Sequence, residues 1–139
     1  MPPLTRLFIK TGLLYFVSAL LLGCLIYIRP LATAFPWLAG ATPVYFHLFM
    51  VGWVTHLIIG VAYWMFPRFT REQPRGSDRL AWSVYFLLNS GLLLRFVAEP
   101  LQSTAPTPYW GWLLVVAALL QWLGGVAFVI NTWPRVKER

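Results

Sequence analysis

Four apolar runs dominate this chain: Leu7–Ile28, Val44–Phe66, Leu80–Ala98 and Tyr109–Asn131. Each approaches the ~20 residues that an α-helix needs to cross the hydrocarbon core of a bilayer. Inside or at the edge of these runs the charges are almost limited to Arg95 and Glu99. Composition agrees with the pattern. With 59% hydrophobic and only 11% charged residues, the chain lacks the side chains to make a water-facing surface. The 139 residues leave room for one compact unit. The expected fold is therefore an all-α integral membrane protein, a single domain over residues 1–139.

The connections between the runs are short and rich in proline. Pro30 to Pro43 contains Pro36 and Gly40; Pro67 to Asp78 contains Pro74 and Gly76; Pro100 to Pro108 contains three prolines. Proline stops one helix and restricts the start of the next. Ser77-Asp78 reads as an N-cap pair for the third helix, and Thr42-Pro43 as a cap followed by proline at the first helical position. Short loops make sequential helices antiparallel, which predicts an up-down-up-down four-helix bundle.

Charge sets the expected orientation. Arg6 and Lys10 flank the first run, Arg68, Arg71, Arg75 and Arg79 lie between the second and third, and Arg135, Lys137 and Arg139 follow the fourth. The other two loops hold little that is basic except Arg29. Lys and Arg in short loops resist translocation, so both termini are expected on the cytoplasmic side of the inner cell membrane. Tyr27, Trp37, Tyr45, Tyr109, Trp110 and Trp112 would then mark the outer interface, and Trp64, Trp82 and Trp133 the inner one. The formal charge of +7 lies in these flanking segments, as it does beside anionic lipid, so a nucleic-acid partner is not expected. A lone cysteine, Cys24, excludes an intrachain disulfide and a thiolate cluster. Leu21-Leu22-Gly23-Cys24 and Ala32-Thr33-Ala34 look like cleavage sites, but the first apolar run is longer than a signal-peptide core, so an uncleaved helix is expected.

Polar side chains inside a membrane are costly, and they direct attention to function. Both histidines, His47 and His56, lie in the second run, nine positions apart. At ~100° and 1.5 Å per residue this spacing predicts opposite helix faces and ~13 Å of axial separation, so they cannot share one metal. Depth sorts the polar residues into two levels. His47, Arg95 and Glu99 fall near the outer side, with Arg95 and Glu99 spaced i, i+4 for pairing. His56, Asn89 and Gln121 fall near the midplane. There His56 reads as an alternative ligand or as structural interhelical glue. Gly52 and Gly60 on its face would admit either a close helix or a flat porphyrin. A quinone bound among His56, Asn89 and Gln121 is a further, weaker alternative. At the outer level, His47 is a candidate axial ligand for b-type heme, with Arg95 holding the propionates. The alternative is that His47 snorkels to the interface while Arg95 pairs with Glu99.

The segment Tyr45-Phe46-His47-Leu48-Phe49-Met50-Val51-Gly52-Trp53, continuing to Gly60-Val61-Ala62-Tyr63-Trp64-Met65-Phe66-Pro67, resembles helix II of the catalytic subunit of heme–copper oxidases. It is closest to the nitric oxide reductase-like and cbb3-like branches. Lys10-Thr11-Gly12-Leu13-Leu14-Tyr15-Phe16 resembles the start of helix I. Asn89-Ser90-Gly91-Leu92-Leu93-Leu94-Arg95 with Glu99-Pro100 resembles helix III of small stand-alone relatives. The resemblance implies that His47 ligates a low-spin heme b near the outer face, the metal it binds being the heme iron. The full family subunit has about a dozen helices, whose later members carry the second heme ligand and the copper ligands. With no histidine beyond His47 and His56, no such copper triad can form in these 139 residues.

Two functions are therefore expected as alternatives. One is a membrane b-type cytochrome for electron transfer or diatomic-gas sensing, with a homodimer sharing the heme across a two-fold axis. The other is a cofactor-free accessory or assembly subunit that associates with a larger respiratory complex. An independent enzyme is not expected, because no nucleophile–base pair, carboxylate pair or phosphate loop is legible.

Overall fold

The computed structural model describes residues 1–136, all of them helix, turn or irregular backbone without a strand. Lys137 and Arg139 of the basic C-terminal segment lie outside the described residues. Helix α1 (Pro3–Tyr27) opens on a proline, whose missing N–H would have had no partner in the first turn. The short helices α2 (Arg29–Ala34) and α3 (Pro36–Ala39) fold the first connection, each again with proline in its first turn. The second long helix is continuous but changes character along its length. It runs as α4 (Thr42–His47), a π-helical segment Leu48–Thr55, and α5 (His56–Met65). Then come α6 (Asp78–Thr104), α7 (Pro108–Thr132) and a final 3-10 turn, Trp133–Arg135.

Four helical stretches are long and apolar enough to cross a membrane: Pro3–Tyr27, Thr42–Met65, Asp78–Thr104 and Pro108–Arg135. This is the make-up of a multi-pass membrane protein. The helix starts follow their prolines closely, with one difference at the second span. There Thr42 is already helical, Ala41 takes the cap position and no side chain caps the end. Ser77 does cap α6, its hydroxyl accepting from the Leu80 N–H at 3.4 Å.

Helix α6 departs further from expectation, running six residues past Ala98 and straight through Pro100. Proline removes one backbone hydrogen bond and crowds the preceding turn. In the turn that follows, the Ser103 and Thr104 hydroxyls both donate to the Pro100 carbonyl, at 2.8 and 3.0 Å. The extension carries Pro100 into a buried position beside the first connection, where α3 packs on α6.

Two helix pairs make up the bundle. Glycines set the first, α1 against the second span: Gly12 abuts His56 Cβ, Gly52 abuts Tyr15, and Gly60 abuts Phe8. They also set the second, where α7 packs on α6: Gly91 faces the Ala117 carbonyl and Gln121, and Gly124 faces Leu88. Close approach through small residues is how helices gain contact where burial from lipid gives no hydrophobic drive. The pairs join through α6 and the second span, in one cluster around Phe8, Ile59, Tyr63, Val84 and Leu88 and another around Ala19, Val44, Leu48 and Leu92.

The last turn closes the bundle in a way that charge counting misplaces. Arg135 belongs to the basic C-terminal segment, yet it is only 1% exposed. Its guanidinium donates to the carbonyls of Tyr63, Phe66 and Pro67 at 3.1, 2.9 and 3.1 Å, and lies over the Tyr63 and Phe66 rings. Those carbonyls are the ones a helix C-terminus leaves without partners. Arg135 is therefore a cap for α5 and not a free surface charge.

Candidate functional site

The π-helical segment decides where the two histidines point. Projected as an α-helix, His47 and His56 fall on opposite faces. Each residue of a π-helix, with its i to i+5 bonding, turns through less than the ~100° of an α-helix residue. Eight such residues separate the two histidines, and both side chains come round to the same neighbour. His47 meets Glu99 and His56 meets Asn89, both on α6. Side chains bind carbonyls of the π segment with the same five-residue step. Thr55 Oγ1 donates to the Met50 carbonyl at 2.8 Å, and His56 Nδ1 lies 2.9 Å from the Val51 carbonyl. The expectation of opposite faces is thus corrected, and the cause is local backbone winding.

At the midplane, His56 is fully buried and both its ring nitrogens are engaged. The Val51 carbonyl can only accept, so Nδ1 carries the proton and Nε2 accepts from Asn89 Nδ2 at 3.0 Å. Asn89 also donates to the Tyr85 carbonyl at 2.8 Å, and its Oδ1 accepts from the Tyr15 hydroxyl at 2.6 Å. Tyr85 and Thr11 share a hydroxyl–hydroxyl bond at 2.8 Å. Two members of this network, Tyr15 and Tyr85, escape a sequence reading that weighs only residues rare in membranes. Gln121 stays outside it, its Nε2 buried without a partner among the described residues. The glycine face of His56 is filled by Phe8 and Tyr15 of α1, which leaves no room there for a porphyrin. Of the two uses considered for Gly52 and Gly60, close helix approach is the one adopted.

The outer-level set assembles more tightly than its spacing predicts. Glu99 Oε1 accepts from Arg95 Nη1 at 2.8 Å, the i, i+4 pair expected, and the same oxygen lies 3.3 Å from His47 Nδ1. Nδ1 also lies 2.8 Å from the Pro43 carbonyl, one turn back on its own helix. Glu99, with its side chain 7% exposed, is the hub of the site, and Arg95 is 18% exposed. Arg95 Nε and Glu99 Oε2 are buried with no partner among the described residues. The signal for Glu99 as the bridge was its place one turn beyond Arg95; what the sequence lacked was the azimuth of His47.

With two acceptors at Nδ1, the neutral imidazole keeps its proton there and presents Nε2 as a bare lone pair. His47 is 29% exposed, and no hydrogen bond to Nε2 occurs among the described residues. The chain matches no family model, no curated protein and no solved structure at significance. A histidine with Nδ1–H held by a carbonyl and a carboxylate has the arrangement usual for metal-ligating histidines, in which the second partner fixes the tautomer and raises the basicity of the free nitrogen. An arginine with an unpartnered Nε beside it offers charge to an anionic group. These donors fit an axial ligand and a propionate partner. The enclosure is less complete, since none of the principal cavities is lined by His47.

Proposed function

We propose that this chain is a membrane b-type heme protein, with His47 as axial ligand through Nε2 and Arg95 beside the propionates. In this reading it lies in the inner cell membrane, with both termini and the 67–77 loop on the cytoplasmic side, as its flanking Arg and Lys residues favour. One observation carries the proposal: His47 Nδ1 is held by Pro43 O and Glu99 Oε1, and Nε2 is left free. The resemblance of the Tyr45–Trp53 segment to helix II of heme–copper oxidases supports the same ligand.

Bound there, heme b would supply one-electron transfer or ligation of a diatomic gas. Glu99 orients the imidazole and strengthens it as a donor, while Arg95 balances the carboxylate and the propionates. His56 has no free nitrogen to offer. The chain has no third histidine, so a histidine as sixth ligand would come from another copy or another subunit, or the sixth position would stay open. A two-fold homodimer placing His47 on both faces of one heme is the simplest arrangement, and it would also supply the enclosure this chain lacks.

The decisive test is the absorption spectrum of the purified protein, oxidised and reduced, with pyridine treatment to type the heme. A Soret band lost in His47→Ala and kept in His56→Ala is expected. A colourless protein at every occupancy, or a band that survives His47→Ala, overturns the assignment. A second reading has its own observation: Arg95, Glu99 and His47 already satisfy one another in part, and broad apolar faces of α7 remain uncovered. It makes the chain a cofactor-free accessory subunit of a larger respiratory complex, colourless and copurifying with its partners.

A further inference from the structure

Helices α1 and α6 approach each other through side chains at the Tyr15–Asn89 level but part company toward the α2–α3 connection. Between them lies a cavity of about 500 Å³ whose walls include Leu22 and Leu25 of α1, Trp37 of α3, and Phe96 and Val97 of α6. A smaller space of about 140 Å³ continues it inward to Tyr15 and Leu92, and Ser18 and Phe96 line both. From Tyr15 to Leu25, α1 rises ~15 Å at 1.5 Å per residue. The two spaces follow one another along that length as one slot, and the inner one, at about 140 Å³, is too small to admit a helix 10–12 Å across.

We propose that this slot seats one acyl chain of a membrane phospholipid. The slot runs parallel to two helices of spanning length and opens sideways from them, where hydrocarbon is the solvent if the helices cross a bilayer. Its lining is almost wholly aliphatic and aromatic. An empty apolar slot of this size would forfeit the dispersion contacts of every wall atom. Trp37, whose ring favours the interface, stands at the wide end and suits a headgroup there. At the narrow end the Tyr15 hydroxyl already donates to Asn89, so it offers no hydrogen to a polar ring. This favours a plain hydrocarbon chain over the head of a quinone. The inference is independent of the heme reading, since neither His47 nor Arg95 lines the slot.

The test is native mass spectrometry of the full chain purified from membranes in a mild detergent. One phospholipid per chain is expected to survive delipidation that strips the rest. Val97→Trp, which fills the slot, should abolish that adduct, whereas Leu119→Trp on the exposed face of α7 should retain it. Ser18→Leu, a smaller change on a single helix, should give the same loss if Val97→Trp does not fold. Equal phospholipid retention in the filled variants and the wild type overturns the proposal. So does an adduct with the mass of a prenylquinone, or no adduct at all.

Discussion

Replacing Asn89 by leucine isolates what the midplane network contributes. Leucine keeps the branched heavy-atom skeleton and removes three hydrogen bonds: to the Tyr85 carbonyl, to His56 Nε2 and from the Tyr15 hydroxyl. Two of these join different helices. Interhelical hydrogen bonds in membranes average ~0.6 kcal/mol each, so the contacts themselves account for ~1–2 kcal/mol. The larger part is what remains behind. His56 is fully buried, and its Nε2 lone pair would face apolar side chains, at a cost of ~1–3 kcal/mol. A total near ~2–5 kcal/mol follows. The assay is equilibrium unfolding of the detergent-solubilised protein by denaturing surfactant, with helix content and tryptophan fluorescence as probes. The double variant His56→Leu/Asn89→Leu removes both partners and should be less destabilised than the sum of the two single changes, by about 1 kcal/mol or more. If Asn89→Leu costs less than ~0.5 kcal/mol, or the two changes simply add, the network is not the core element described here.

Three other changes have defined outcomes. Gly52→Ala would put its methyl carbon 2.8 Å from Tyr15 Cβ and Cγ and 3.1 Å from Leu92, so a loss of ~1–3 kcal/mol is expected in the same unfolding assay. Arg135→Ala leaves three helix-end carbonyls uncapped and should cost ~2–4 kcal/mol, whereas Arg79→Ala, on an exposed side chain, should be nearly neutral. Glu99→Gln keeps an acceptor near His47 but leaves Arg95 without its carboxylate; if heme is bound there, a reconstitution titration should show affinity ~10–100-fold weaker.

How far the sequence alone reaches is clear from particular residues. Four apolar runs separated by prolines were enough to establish four long helices and nearly all of their starts, because span length and proline placement are local properties of the chain. The Arg95–Glu99 pair was equally legible, since i, i+4 spacing on one helix needs no partner element. Three features depended on packing. Helix α6 runs through Pro100, which is buried where α3 packs against it. Arg135 leaves the surface because the end of α5 presents three unpaired carbonyls to it. The two histidines share a neighbour because eight residues wind as a π-helix, and no periodicity in that all-apolar stretch records it. Sequence thus determined which side chains are available and where along each helix they stand. Tertiary structure decided the azimuth, and in a bundle the azimuth settles whether a histidine is sealed in a network, as His56 is, or held by a carboxylate with one nitrogen free, as His47 is.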